Sequence, residues 1–254
     1  MEITAHIDAL RHEGTRLAEA AARTDLSAPV PTCPEWQVRD LLRHVGSVHR
    51  WAATITARGL SAPPDEATAE AAVGPVPSDT ALLDWYREGH ATLVDTLTTA
   101  PADLACWSFL PTPSPLAFWA RRQAHETAIH RQDADAAAGV PGPPVDTVLA
   151  LDGIDELLRG FMTGSRSTLR SDHRRTLLVR ATDGPGSWHV TITREPLTVT
   201  TDASAEPADL TLAGPARELY RLLWNRLPAE QAGEVERTGD RGLLDLWRDT
   251  AVIG

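Results

Sequence analysis

The chain has 254 residues, 42% of them hydrophobic and 23% charged, which fits a globular protein of two domains and excludes a collagen-like or disordered one. Its formal charge of −11 argues against nucleic acid or an anionic membrane as main partner, and two cysteines are too few for a disulfide framework or a cysteine-based zinc knuckle. All 24 basic residues are arginine, so lysine Schiff-base and phosphate-loop chemistry is excluded as well. No stretch approaches the roughly 18 apolar residues of a membrane span, and the acidic Met-Glu-Ile-Thr-Ala-His start does not read as a signal peptide. A cytoplasmic protein is expected.

In chain order, residues 2–24 read as a helix with Ile3, Ile7, Leu10, Leu17 and Ala21 toward one side. A proline-bearing break follows at 28–34. Thr32 and Glu35 have capping-box spacing, with Pro34 in the first turn, so a second helix is expected from there to about Arg58. Val38, Leu41, Val45, Val48, Trp51, Ala52 and Ile55 form its apolar arc. Residues 59–77 read as a loop, Ser78 to Thr99 as a third helix, 100–115 as an irregular connection, and Leu116 to Ala138 as a fourth helix. Four amphipathic segments with proline-rich connections predict a four-helix bundle, in which sites form between facing helices.

Val-Pro-Gly-Pro-Pro at 140–144 reads as a linker, dividing the chain into domains 1–140 and 145–254. A fifth helix is expected over about 146–162. Short β-branched runs at Thr176–Ala181, Ser187–Thr193, Leu197–Thr201 and Asp209–Leu212 predict strands between Asp-Gly, Arg-Glu-Pro and Glu-Pro turns. A helix from Pro215 to Leu227 and a short one near Leu243–Trp247 complete an α+β second half.

Glu126 and His130 lie four residues apart and project from one face within about 40° of each other. His44, at the border of the second helix's apolar arc, supplies a further imidazole from a neighbouring helix. A His/His/carboxylate set suits zinc with one position left open. The competing reading is three polar residues hydrogen-bonded in a helical core. His125 and His130, like His44 and His49, are five apart and about 140° around the helix, so neither is the i, i+4 pair of a metalloprotease. His49 and His125 are therefore expected at the surface or behind the ligands. Cys33 reads either as a thiol activated by a helix N-terminus or as a small packed residue. Asp152, Asp155 and Glu156 form either an acidic pocket lip or a solvated helix face.

Several stretches resemble the mycothiol-dependent maleylpyruvate isomerase family. They are Pro-Thr-Cys-Pro-Glu-Trp-Gln-Val-Arg-Asp-Leu-Leu-Arg-His-Val-Gly, Ala-His-Glu-Thr-Ala-Ile-His-Arg-Gln-Asp-Ala, Leu-Asp-Gly-Ile-Asp-Glu-Leu-Leu and Ala-Asp-Leu-Thr-Leu-Ala-Gly-Pro-Ala-Arg-Glu-Leu-Tyr-Arg-Leu-Leu-Trp-Asn-Arg. The resemblance implies a two-domain α+β protein, with an N-terminal DinB-like four-helix bundle and a small C-terminal α+β domain. It places a divalent metal, usually zinc, on His44, Glu126 and His130, with mycothiol as thiol cosubstrate. The arginine-only, alanine-rich composition fits the GC-rich actinobacteria that make mycothiol.

The implied chemistry is a metal-activated thiolate that adds to a cis alkene conjugated to carbonyls. Rotation about the new single bond and elimination then give the trans isomer. Other members of the family would transfer the thiol to an electrophile and keep the adduct. Arg226 is a candidate clamp for a substrate carboxylate. The expected partners are a small electrophile and a thiol, for a monomer or homodimer. The alternatives are a non-catalytic binding bundle and a metal–water hydrolase assisted by Asp133 or His125.

Overall fold

Side-chain caps and positive-φ glycines bound three of the five helices in the first half of the chain. The computed structural model describes residues 1–140, 142–164, 167–201 and 207–251, and the chain divides into two units, Met1–Pro143 and Pro144–Gly254. Pro141 of the expected linker, Glu206 of the Glu-Pro turn and the last three residues of the expected second domain lie outside the described residues.

The first unit contains α1 (Ile3–Ala22), α2 (Val38–Arg58), α3 (Glu66–Val73), α4 (Asp79–Thr99) and α5 (Pro115–Ala138). The Asp40 carboxylate accepts the Gln37 amide at 3.0 Å at the start of α2, and Gly59, at φ 57°, ends it. Ser114 accepts the Ala117 amide at 3.2 Å to start α5, with Pro115 in the first turn. The expected cap at Thr32 is therefore corrected to Gln37, because the Thr32 hydroxyl is bonded to Asp133 on α5. The four long helices form the bundle: α5 packs on α1 and α2, and both of these pack on α4. The expected loop at 59–77 contains α3, started by the Asp65 carboxylate accepting the Thr68 amide at 2.8 Å.

Leu10, Leu17, Leu41, Val45, Leu93 and Trp119 are buried in this core. Two glycines allow close helix approach. A Cβ on Gly46 of α2 would stand 2.3 Å from the Trp85 ring, and one on Gly14 of α1 would stand 2.2 Å from the His90 ring.

Between α1 and α2 the chain closes a ring. Pro29 pairs with Gln37, the Val30 amide donates to the Trp36 carbonyl at 2.9 Å, and the Trp36 amide donates to the Cys33 carbonyl at 2.8 Å. Thr32, Cys33 and Trp36 are thereby held on one short closed loop.

The second unit begins with α6 (Thr147–Asp155), which runs directly into a π-helical segment, Glu156–Phe161. Its sheet has the order β3-β2-β1-β4-β5, from β1 (Arg175–Ala181), β2 (Ser187–Ile192), β3 (Thr198–Thr200), β4 (Leu210–Gly214) and β5 (Glu236–Gly239). β1 and β4 are parallel and the other pairs antiparallel. The parallel β1–β4 pair forces a crossover, which places the β2–β3 hairpin on one side of β1 and β4–β5 on the other. α7 (Ala216–Leu223) packs against α6, and α8 (Gly242–Thr250) follows β5. The molecule is therefore an α+β protein of a helical unit followed by a small sheet unit. Among the described residues no helix is long and apolar enough to cross a membrane.

Candidate metal centre

His44 lies in the second turn of α2, and Glu126 and His130 face it from the middle of α5. The Glu126 Oε1 is 3.1 Å from His44 Nε2 and 3.4 Å from His130 Nε2. All three ligand atoms lie within 4.8 Å of one another. Donors around a tetrahedral zinc at about 2.0 Å stand roughly 3.3 Å apart, so the oxygen sits at ligand spacing from each nitrogen. The donor set, two imidazoles and one carboxylate, fits such an ion with a further position for an exogenous group. The side chains of His44, Glu126 and His130 are 36%, 22% and 9% exposed, so the trio opens to solvent on the His44 side.

Each of the three side chains has a further neighbour. Arg122, one turn before Glu126 and buried, donates to Glu126 Oε2 at 3.2 Å and leaves Oε1 turned to the imidazoles. His130 Nδ1 lies 2.8 Å from Asp133 Oδ2. Asp133 is fully buried and also accepts the Thr32 hydroxyl at 2.6 Å and the Cys33 thiol at 3.6 Å. Trp36 completes the surround, its ring 4.9 Å from that of His44 and stacked 5.7 Å from that of His130.

The electrostatics follow from these contacts. Burial pushes the Glu126 carboxyl up, but hydrogen bonds from His130 and His44 and the Arg122 charge outweigh it and hold the group well below the usual range. Burial likewise opposes charge on His130, yet the Asp133 and Glu126 carboxylates raise this imidazole from 6.5 to about 9. With no ion bound, a proton on His130 thus balances the carboxylates around it.

Other residues singled out in the sequence are placed differently. His49 is not at the surface. It is fully buried, with Nε2 at 2.9 Å from the Thr127 hydroxyl, and burial lowers its pKa well below 6.5. His125 is also fully buried, its ring 6.0 Å from that of His6. α2 packs on both α4 and α5, and α5 on both α1 and α2, so the faces that carry His49 and His125 are covered. Cys33 precedes α2 by five residues, so it does not stand at that helix's N-terminus.

In the second unit, Glu156 is buried rather than part of a solvated face, while Asp155 accepts Arg159 at 3.1 Å and Trp188 Nε1 at 3.2 Å. Asp152 is half-buried. Arg226 is half-buried too and donates to the Trp224 carbonyl at 3.0 Å. Arg122 and Trp36 went unnoticed in the sequence, although Arg122 has the same i, i+4 relation to Glu126 that pointed to His130.

Residues 7–135 match the family described as Mycothiol maleylpyruvate isomerase N-terminal domain, and residues 148–246 match the MDMPI C-terminal domain. Among solved structures, the chain is similar to a mycothiol-dependent maleylpyruvate isomerase at 12% identity, covering 94% of this chain and 93% of that one with a TM-score of 0.63. A histidine-to-alanine variant of such an isomerase aligns with the same identity and coverage and a TM-score of 0.62. At that identity the likeness speaks for the fold. No functionally curated protein matches the sequence. The two matched domains cover most of the chain in the family's own order, and the chain belongs to the mycothiol-dependent maleylpyruvate isomerase family.

Proposed function

We propose that this protein is a metal-dependent enzyme that activates a low-molecular-weight thiol, mycothiol by family, for reaction with a small electrophile. The carrying observation is the convergence of His44 Nε2, His130 Nε2 and Glu126 Oε1 at ligand spacing beside an open side. A divalent ion held there, zinc by donor chemistry, would supply a lowered thiol pKa and so a nucleophile at neutral pH.

The chain's own residues set the conditions for that chemistry. His44 and His130 would offer such an ion two neutral donors and Glu126 a single negative charge, leaving a coordination position for the thiol. Arg122 holds Glu126 Oε2 and so leaves Oε1 turned to the imidazoles, and the Trp36 ring packs against both of them. Arg226 is the proposed carboxylate clamp, through the paired N–H groups of its guanidinium. Thiol-assisted cis–trans isomerisation and S-transfer share this thiol half and differ in the fate of the adduct. The reading includes a cytoplasmic setting, where the cosubstrate stays reduced. A hydrolase needs a base facing the open position. Asp133 is buried on the Nδ1 side of His130 and His125 lies buried beside His6, so neither serves.

Elemental analysis of wild type beside His44→Ala, followed by mycothiol titration, tests the proposal. The expected result is one metal per chain, lost in the variant, with saturable thiol binding only when metal is present. Wild-type protein that takes up no divalent metal overturns it.

A further inference from the structure

Three side chains on the far side of His130 from the other two candidate ligands have no part in the chemistry described above: Asp133, Thr32 and Cys33. Asp133 presents a fully buried carboxylate to His130 Nδ1 at 2.8 Å. A carboxylate can only accept, so this contact holds a proton on Nδ1 and makes Nε2, which faces Glu126 and His44, the nitrogen available to a metal ion. A carboxylate left in the core without donors would be costly, and two of its donors come from outside its own helix. The Thr32 hydroxyl donates to Oδ1 at 2.6 Å and the Cys33 thiol to Oδ2 at 3.6 Å, both from the closed ring ahead of α2.

On the reading of the trio as a metal site, we infer that Asp133 is a positioning residue for His130 and that the Thr32–Cys33 turn holds it in place. Metal affinity is then set partly by a hydroxyl about a hundred residues away in sequence from the helix that carries two of the ligands. Groups hydrogen-bonded behind metal-ligating histidines fix ring orientation and tautomer, and losing one weakens metal binding about 10- to 100-fold. The arrangement also gives Cys33 a role that needs no reactive thiolate, because its S–H serves as a donor to Asp133.

The experiment is zinc affinity of the full chain, stripped and reloaded, by competition with a chromogenic chelator. Asp133→Asn should bind zinc about 10- to 100-fold more weakly than wild type. Thr32→Val, which keeps the branched shape and removes the hydroxyl, should weaken binding about 2- to 10-fold, the worth of one hydrogen bond. Thr32→Ser, which keeps the hydroxyl and loses the methyl, should restore it. A role in packing alone would reverse that order, so the Val/Ser pair decides the matter even where Asp133→Asn does not fold. Wild-type affinity in Asp133→Asn, or in Thr32→Val, overturns the inference and leaves the metal site standing. Wild-type protein that binds no zinc or other divalent ion overturns the metal site and this inference together.

Discussion

In the C-terminal unit the sheet is filled with hydrocarbon such as Leu177, Val179, Val190 and Leu212, and its buried polar side chains among the described residues are Glu156, Thr176 and His189. One helix of the N-terminal unit does the reverse. On α5, Arg122, Gln123, His125, Thr127, His130, Arg131, Asp133 and Asp135 are all buried. A hydrocarbon core is tolerant, since any residue of similar volume fills it. A polar core depends on every partner, because each unpaired group costs free energy in full. The helical unit accepts that dependence on the helix that carries two of the three proposed ligands.

The largest test of this contrast lies away from the ligands. Arg131 donates to Glu13 and to Asp135, each at 2.6 Å, and all three side chains are at most 12% exposed. Arg131→Met should cost about 3–5 kcal/mol in urea unfolding, because two carboxylates lose their counter-charge in the core. A cost below about 1 kcal/mol would break the comparison, since such a change is what a tolerant core gives.

Next in size is the hydrocarbon side of the same bundle. Gly46→Ala forces a methyl to within 2.3 Å of the Trp85 ring and should cost about 1–3 kcal/mol by thermal or urea unfolding. Because Trp85 also lies under the Arg50 guanidinium, 3.9 Å from its ring centre, the indole has little room to retreat.

The smallest effect per step is a pH slope. Burial lowers the pKa of His49 and of His90 from 6.5, so both stay neutral in the fold while the unfolded chain takes up protons. Stability should therefore fall as pH drops below 6.5, by up to about 1.4 kcal/mol per pH unit for each group. His49→Leu should flatten part of that slope in unfolding curves measured from pH 7 down to 5. In metal-free protein His130 adds a limb of opposite sign. Its raised pKa gives a contribution that is complete below 6.5 and lost as pH rises through about 9. Restoring the ion should remove this second limb and leave the first.

Much of this was legible in the residues because it is local. α2, α4 and α5 announce themselves by helical periodicity, and Glu126 and His130 by a spacing that leaves one geometry. α3 was hidden because none of its eight residues is buried, so no apolar period marks it. β5, Glu-Arg-Thr-Gly, is an exposed edge strand and looks like a turn. The run from α6 into a π-helical segment has no signature in Leu-Asp-Gly-Ile-Asp-Glu-Leu-Leu. Thr32 and Glu35 have the spacing of a cap, yet a partner 101 residues away takes the Thr32 hydroxyl, and no local pattern can foretell that. The same applies to His49, whose face looks polar until Thr127 of another helix covers it. Where a role depends on contact between distant segments, residue type alone left it open, as it did for Asp133.

The ring closed between Pro29 and Gln37 carries Thr32 and Cys33, which contact Asp133 behind His130, and Trp36, whose ring packs against both imidazoles. Its neck is tied by backbone hydrogen bonds, and its tip, Pro34 and Glu35, is exposed. Thr32, Cys33 and Trp36 are thus carried on one tied loop rather than on separate segments. A displacement of this loop that moved the indole would also move the hydroxyl and thiol that Asp133 accepts. Were the trio to hold an ion as proposed, access to the centre and retention of that ion would be coupled through this one loop.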